Sequence, residues 1–496
     1  MLFFPTADED FKYFRNQGYT GSINDMHYKA MGDLGYTGSL NDRIHAYLTA
    51  TYGSYYEAMR DLRNGTSVFA LVGYRVLGIN PDLVLDFKNS YYRKSGTAST
   101  FSGTITQARA SSATMTNSSG TLVTVGNNVP RTGHHVYNGS AWVNEGILHE
   151  TDARTNLITH SDFSGSWLTF QSTLAEASVT APDGSQDAYS LTPSTSSTAH
   201  YAQFNLTAAN GTHTDSVYVK ANGYTKFFIR PVHVGASEGD TSDAKFNLTT
   251  GEVISYSTDT FTSISIEDVS NGWYRVSFGF KTTGTVTNSQ VRLQALNNTG
   301  AGIFAGDGTS GFYVFAPQRE AAATVSSYIA TSGTTATRAA ETLIVPAANL
   351  PYSSTNMSIQ MDGKMTYADT GAFGTVRLFD WTLDANNGII ANITTEGSFD
   401  GQIYFTQEAG GVVDNVNSDA FNIGINVPFN IASRHGSGFI NGAISGTALT
   451  ANTTPSALPN LSSTNLKIGF KLMGTISKFR MWDEDLTDTG IEEAST

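Results

Sequence analysis

Trp273-Tyr-Arg-Val-Ser-Phe-Gly-Phe280 decides how this chain of 496 residues is read. Tyr274, Val276, Phe278 and Phe280 fall on one side of an extended backbone, and Arg275, Ser277 and Gly279 on the other. A period of two belongs to a strand with one buried face. The pattern extends outward in both directions. Asp215-Ser-Val-Tyr-Val-Lys220 and Lys226-Phe-Phe-Ile-Arg230 precede it, and Gly311-Phe-Tyr-Val-Phe315 follows. Gly, Asn and Thr turns separate such runs, so the region from 170 to 345 reads as the evenly spaced strands of a sandwich or jelly roll.

Composition agrees with that reading. Hydrophobic residues make up 40% of the chain and charged residues only 15%, with Ser, Thr, Asn and Gly standing where charge would otherwise be. Short polar side chains suit turns and the solvent faces of strands. The length implies about three domains. The net charge is −14 and no Lys/Arg run stands out, which predicts no nucleic-acid partner. Cysteine is absent, which excludes disulfides, thiolate metal sites and cysteine nucleophiles. Met1-Leu-Phe-Phe-Pro-Thr-Ala-Asp8 lacks the pattern of an export leader. The most apolar stretch, Val68 to Ile79, contains Arg75 and is too short to span a bilayer, so no membrane insertion is expected.

The first sixty-odd residues differ from the rest. Gly18-Tyr-Thr-Gly-Ser-Ile-Asn-Asp25 recurs seventeen residues on as Gly35-Tyr-Thr-Gly-Ser-Leu-Asn-Asp42. Each copy leads into a helix-like segment, Met26 to Met31 and Arg43 to Ala50, with Ser22 or Asn24 and Ser39 or Asn41 as candidate N-caps. Asp25 and Asp42 are favourable near a helix N-terminus. A third helix is expected from Tyr55 to Arg63. From Leu83 onward the period becomes strand-like, as in Leu83-Val-Leu-Asp-Phe87 and Thr121-Leu-Val-Thr-Val125. Ala347 to Tyr352, flanked by Pro346 and containing Pro351, reads as a linker to a second β-domain running from Ser358 to Arg480.

Between 83 and 163 lie Leu85-Asp-Phe87, Ala108-Arg-Ala-Ser-Ser-Ala-Thr114, Asn127-Asn-Val-Pro-Arg131, Gly146-Ile-Leu148 with Glu150, Ala153-Arg-Thr-Asn-Leu157, and Ser161-Asp-Phe163 with Trp167. In order and spacing this run resembles the head-spike-fibre type of segment in virion proteins of tailed phages. It departs from that pattern at His149-Glu-Thr-Asp152. The block from 168 to 340 looks like the jelly-roll carbohydrate-binding modules that often follow such a segment. Asn271-Gly-Trp-Tyr-Arg-Val-Ser277, Ser326-Ser-Tyr-Ile-Ala330 and Ala336-Thr-Arg-Ala-Ala340 stand at matching places. The last domain resembles concanavalin-like or laminin-G-like sandwiches. Phe429-Asn-Ile-Ala-Ser-Arg434 leads there into Gly438-Phe-Ile-Asn-Gly442, read as an Asn-Gly hairpin, and Gly474 to Trp482 matches the closing strand.

No phosphate loop, dinucleotide fingerprint, zincin motif or Gly-x-Ser-x-Gly elbow is present. A glycan-cleaving site would need two carboxylates flanking the scissile bond, a pair that sequence does not reveal. No enzymatic activity is therefore expected. His134-His135 is the one adjacent histidine pair, without a third ligand spaced to it. Sugar binding needs exposed aromatic faces and planar hydrogen-bonding groups. Trp167, Tyr224 and Trp381 are the candidate platforms, and Arg434, His435 and Asn441 a candidate polar rim, whereas Trp273 and Trp482 sit in alternating strands and read as core. Carboxylates in turns at Asp183 with Asp187, and at Asp240 with Asp243, suit a structural calcium, as the jelly-roll resemblance implies.

The expected chain is mainly β: a small helical N-terminal module over 1–65, a connecting β segment over 66–167, a jelly-roll carbohydrate-binding-like domain over 168–345 and a concanavalin/laminin-G-like domain over 346–496. The resemblance implies a fibre or spike of a tailed-phage virion, trimeric, docked to other virion proteins through 1–65 and displaying lectin-like domains to a host-surface glycan or receptor. Two alternatives stand beside it: a purely architectural capsid-decoration or baseplate subunit, and a glycan-depolymerising spike.

Overall fold

The computed structural model describes residues 14–15, 18–52, 74–207, 209–236, 243–258, 261–282, 284–367, 375–395, 401–420 and 424–496. The helix expected from Tyr55 to Arg63, and Asp240 of the calcium candidates, lie outside them. The fold is mainly β, with two sandwiches and few, short helices. No helix among the described residues is long and apolar enough to cross a membrane.

The tandem repeat folds as two helices, Ile23–Asp33 and Leu40–Tyr52. Of the two candidate caps in each copy, serine is used. The Ser22 hydroxyl donates to Asp25 Oδ2 at 2.6 Å, and the Asp25 amide donates back to Ser22 Oγ at 3.3 Å. Ser39 and Asp42 repeat the pair at the same distances. This reciprocal capping satisfies amides that a helix start leaves open. The same bonds from serine hydroxyl and amide hold both carboxyls below the ordinary aspartate pKa. Gly18 and Gly35 each enter at φ +88°, a left-handed conformation that glycine adopts without steric cost.

The jelly roll consists of two six-stranded antiparallel sheets. One runs Trp167–Phe170, Tyr201–Leu206, Gly284–Leu296, Lys226–Ala236, Ala244–Asn247, Glu252–Tyr256 in spatial order; the other runs Ser172–Ala177, Ala188–Pro193, Gly311–Glu320, Gly211–Asn222, Trp273–Thr282, Phe261–Asp268. The alternation read from sequence is realised: Val217, Val219, Val276, Phe278, Phe280, Phe227 and Ile229 all point between the sheets with essentially no exposure. At about 25 cal/mol per Å² of apolar area, a row of this kind supplies the main stabilising term. Buried among it, Arg319 forks onto Asp215, with Nε–Oδ1 and Nη2–Oδ2 both 2.5 Å, and reaches Ser289 Oγ at 2.8 Å.

The second sandwich is discontinuous in sequence. Its ten-stranded sheet contains the expected C-terminal strands Asn356–Tyr367, Gly424–Gly436, Ile440–Ile444 and Met473–Trp482, but also Leu83–Asp86, Tyr91–Lys94, Thr97–Ser99, Thr132–Tyr137 and Trp142–Glu150. Leu85 pairs with Phe479, and Glu150 with Met473. In the facing seven-stranded sheet Thr106–Ala108 pairs with Thr342–Val345. Residues 83–150 therefore do not form a separate connecting segment, and 346–496 is not a complete domain. The two share one core, in which Leu83, Leu85, Phe87 and Ile147 pack with Ile359, Trp381 and Phe479. The jelly roll is inserted between the halves, and its two chain crossings pair with each other as Arg154–Asn156 and Ala336–Arg338. Adjacent crossings are what domain insertion requires. The expected linker is also ordered: Ala347–Asn349 is a 3₁₀ turn whose Asn349 side-chain Nδ2 donates to Gly103 O and Thr104 O, while Leu350 and Tyr352 pack on the core.

At the neck between the sandwiches lies a buried ionic network. Glu341 accepts from Arg109 Nη1 at 2.5 Å, Arg131 Nε at 3.0 Å and Arg131 Nη2 at 2.7 Å. Glu150 meets Arg131 Nη2 at 2.7 Å and Arg338 Nε at 3.1 Å, and accepts from the Ser327 amide and hydroxyl at 2.8 and 2.6 Å. Burial opposes the Glu150 charge, but Arg338 and Arg131 outweigh it and hold the carboxyl far below its ordinary range. Beside it His149 is pushed down to about 4 by burial and stays neutral. Arg109, Arg131 and Glu150 belong to the run that resembles phage proteins, and Ser327 and Arg338 to the stretches that resemble carbohydrate-binding modules. Their place in the molecule is a joint.

Candidate functional site

The outer faces of the two jelly-roll sheets have different fates. On the sheet containing Trp273–Thr282, the outward side chains Tyr218, Trp273 and Phe315 are buried with Ala181 and Tyr328, and Trp273 Nε1 donates to Thr180 O at 3.0 Å. Among the described residues the other sheet is only partly covered over its first strands, with Leu168 and Phe170 exposed and Gln294 buried. There Ala202, Phe204, Val291 and Leu293 face the core, so Tyr201, Gln203, Asn205, Arg292 and Gln294 face out.

Register aligns these outward residues in rows across the strands. Phe170 stands beside Tyr201, which stands beside Gln294; Leu168 stands beside Gln203, which stands beside Arg292. The Phe170 and Tyr201 rings stack at 5.1 Å with a 17° interplanar angle, and Phe170 is 43% exposed. The Arg292 guanidinium lies 4.5 Å from the Tyr201 ring centroid. It donates to Gln203 Oε1 at 3.1 Å and Gln290 Oε1 at 2.9 Å, and Gln203 Nε2 donates to Asn205 Oδ1 at 3.3 Å. Partial burial lowers the Arg292 pKa, with Arg230 adding to this and Tyr201 opposing it. The result is an open face with two stacked rings, a cation fixed over one of them, and carboxamides held in plane. Such a surface offers C–H contact through the rings and in-plane hydrogen bonds at their edge.

The residues singled out from sequence do not form one site, although Arg434 and Asn441 meet as cross-strand neighbours that share Asp488. Trp167 lies at the border of this sheet, half-buried, with Nε1 donating to His160 O at 2.9 Å and its ring 4.8 Å from Phe163. It borders a concavity of about 440 Å³ that Tyr189, Thr173 and Leu174 also line. Tyr224 is half-buried against Phe304 and Phe312. Trp381 is no platform: it has no exposure, and its Nε1 donates to Thr464 O at 2.8 Å inside the second sandwich. The polar rim is likewise consumed internally. Arg434 bonds Asp485 through Nε and Nη2, both at 2.7 Å, and Asp488 through Nη1 at 2.8 Å. His435 is fully buried and pushed down to about 3 by burial. Asn441 is fully buried, donating to Leu449 O and Asp488. The reason is register: Asn441-Gly442 sits within the strand Ile440–Ile444, and the turn falls at Gly436–Phe439. Gly442 is required there because a Cβ would meet the Phe405 ring at 2.0 Å.

No family model matches the chain, and no curated protein matches it. Among solved structures it is similar in part to the receptor-binding domain of botulinum neurotoxin D, at 14% identity and a TM-score of 0.24 over 30% of this chain and 40% of that one. It is also similar to the CBM40 domain of Ruminococcus gnavus IT-sialidase, at 12% identity and a TM-score of 0.24 over 29% of this chain and 84% of that one. A third is leech intramolecular trans-sialidase, at 15% identity and a TM-score of 0.24 over 29% and 23% of the two chains. The chain thus spans two fifths of the length of the neurotoxin domain.

Of the calcium candidates, Asp183, Asp187 and Asp243 lie among the described residues. The Ser185 hydroxyl lies within hydrogen-bond distance of both Asp183 and Asp187, with one proton to donate between them, and Asp183 also accepts from the Ser185 amide at 3.0 Å. These bonds close a local turn and account for the carboxylates. Asp243 accepts nothing from them; its amide donates to Ser257 Oγ at 3.0 Å. Among the described residues no three His, Asp or Glu side chains gather where a metal could sit, the His134-His135 pair included. Sequence reasoning passed over Phe170, Tyr201, Gln203 and Arg292. Their signal is present in Tyr201-Ala-Gln-Phe-Asn-Leu206: an aromatic residue in phase with Gln and Asn, out of phase with the core residues Ala202 and Phe204.

Proposed function

We propose that this chain is an adhesion subunit that binds surface glycan on the open jelly-roll face. The observation that supports this is the stacked Phe170–Tyr201 pair carrying Arg292 and its amide partners on a sheet face left partly open. A sugar ring lies against the aromatic pair, and its hydroxyls bond Arg292, Gln203 and Asn205. In the larger reading, drawn from the resemblance of 83–163, the subunit is a fibre or spike of a tailed-phage particle. Residues 1–65 dock on other virion proteins, the subunit assembles as a trimer, and the β-sandwiches point to the host. Weak single sites then act together, raising avidity by about 10²-fold or more when geometry permits simultaneous contact.

A glycan array probed with the intact protein and with Tyr201→Ala tests the reading. Binding that falls about tenfold or more in the variant is expected. Equal binding by both proteins would remove the open face as the site. A purely architectural role is the second reading, favoured by the observation that Arg109, Arg131, Glu150 and Arg338 are spent on an internal joint. It wins if the folded wild-type protein binds neither glycans nor host cells.

A further inference from the structure

Where the covered jelly-roll sheet faces the second sandwich, the two do not close completely. A cleft of about 550 Å³ remains, walled on one side by Trp142, Glu145 and Thr475 and on the other by Glu267 and Arg275, with Lys364 at its lining. That volume lies within the range of small-ligand sites. Its walls come from both sandwiches, so it exists only because of the insertion.

We infer that this cleft is a second saccharide site, taking a sugar without an acidic group, distinct from the open sheet face. Four observations carry the inference. Trp142 is half-buried, 5.3 Å from the Tyr137 ring, and Gly120 makes room for it: a Cβ at Gly120, where φ is +79°, would fall 2.2 Å from the indole. An aromatic ring so placed in a polar cleft suits the C–H face of a pyranose. Glu267 lies directly across the strand pair from Arg275, yet nothing among the described residues hydrogen-bonds its carboxyl. Burial raises its pKa, with Arg275 and Lys364 opposing. Arg275 Nε and Thr475 Oγ1 are buried without hydrogen-bond partners, although Arg275 Nη2 donates to Ser326 O at 2.7 Å. Unpaired buried donors and acceptors cost free energy, and a polyhydroxyl ligand would relieve that cost.

Charge selects the ligand class. Glu145, Glu267 and Asp268 outnumber Lys364 and Arg275 in the lining, Glu150 being held by Arg131 and Arg338, and Lys364 is bonded to Glu145 at 2.8 Å. His134 adds no charge near neutral pH, because burial pushes it down to about 4. An acidic excess disfavours a uronic acid and leaves a neutral or amino sugar with adjacent hydroxyls as the ligand class.

The test uses the intact chain in the Phe170→Ala/Tyr201→Ala background, which removes the open face. Methyl glucoside, galactoside and mannoside, with glucuronate and glucosamine as charged probes, are titrated by ligand-observed NMR. Residual binding of at least one neutral glycoside or of glucosamine is expected, weakened about tenfold or more by Glu267→Gln and by Trp142→Ala. Glu267→Gln keeps the shape of the wall, so it decides the matter if Trp142→Ala perturbs folding. No residual binding in this background, residual binding indifferent to Glu267→Gln, or preference for glucuronate each overturns the inference. Failure of the open-face reading has a different signature: sugar binding by the wild type that the Phe170→Ala/Tyr201→Ala pair leaves unchanged.

Discussion

The two outer faces of the jelly roll carry similar residues and do different things. One presents Tyr218, Trp273 and Phe315, the other Phe170, Tyr201 and Arg292. Trp273 is 2% exposed and Phe170 is 43% exposed. Local sequence does not separate them, since both sets sit out of phase with a strand's core residues. What separates them is that chain segments around Ala181 and Tyr328 lie over the first face and not the second. An outward aromatic residue becomes packing when another part of the chain covers it, and a candidate contact when nothing does.

The broadest way to strain this contrast is acid, which acts on the buried interior and spares the open face. His149 and His435 are held neutral, at about 4 and about 3, by burial. Their unfolded-state pKa is about 6.5. Between these values the unfolded chain binds protons that the folded chain excludes, so stability is full above pH 6.5 and is lost as pH falls toward 4 and 3. Each histidine contributes on the order of 3 kcal/mol. His213 and His233 in the jelly-roll interior shift in the same direction for the same reason. Urea unfolding midpoints recorded from pH 7.5 down to 4 are expected to fall steadily; a flat profile would contradict the assignment.

The joint is the next point at which the contrast can be broken. Glu341→Ala leaves Arg109 and Arg131 buried with less than their present compensation, at an expected cost of about 3–5 kcal/mol. Thermal unfolding of the variant should show the loss, and a shift under about 1 kcal/mol would mean the network is solvated. A pair of variants compares the faces directly, and the smallest effect falls on the open one. Trp273→Ala should cost about 3–5 kcal/mol, and Tyr201→Ala about 1 kcal/mol or less, in urea titrations read by fluorescence. Equal costs would show that the second face is also packed.

Some of this was readable without coordinates. The strands around Val217, Phe227 and Phe278 follow from alternation, and the paired Ser22/Asp25 and Ser39/Asp42 caps follow from the repeat. Arg434, His435 and Asn441 were misjudged because the hairpin turn was placed at Asn441-Gly442, when Gly442 serves close packing against Phe405 instead. Trp381 was misjudged because burial of one tryptophan depends on strands that reach it from distant parts of the chain.

By itself the sequence determined the β class, the helical repeat and the phase of most strands, since those depend on neighbours within a few residues. Only the tertiary structure decided that 83–150 completes the C-terminal sandwich, through pairings such as Leu85 with Phe479 and Glu150 with Met473. It alone decided which aromatic face stays open. Both are matters of contact between segments hundreds of residues apart, and a periodicity of two carries no record of its distant partner.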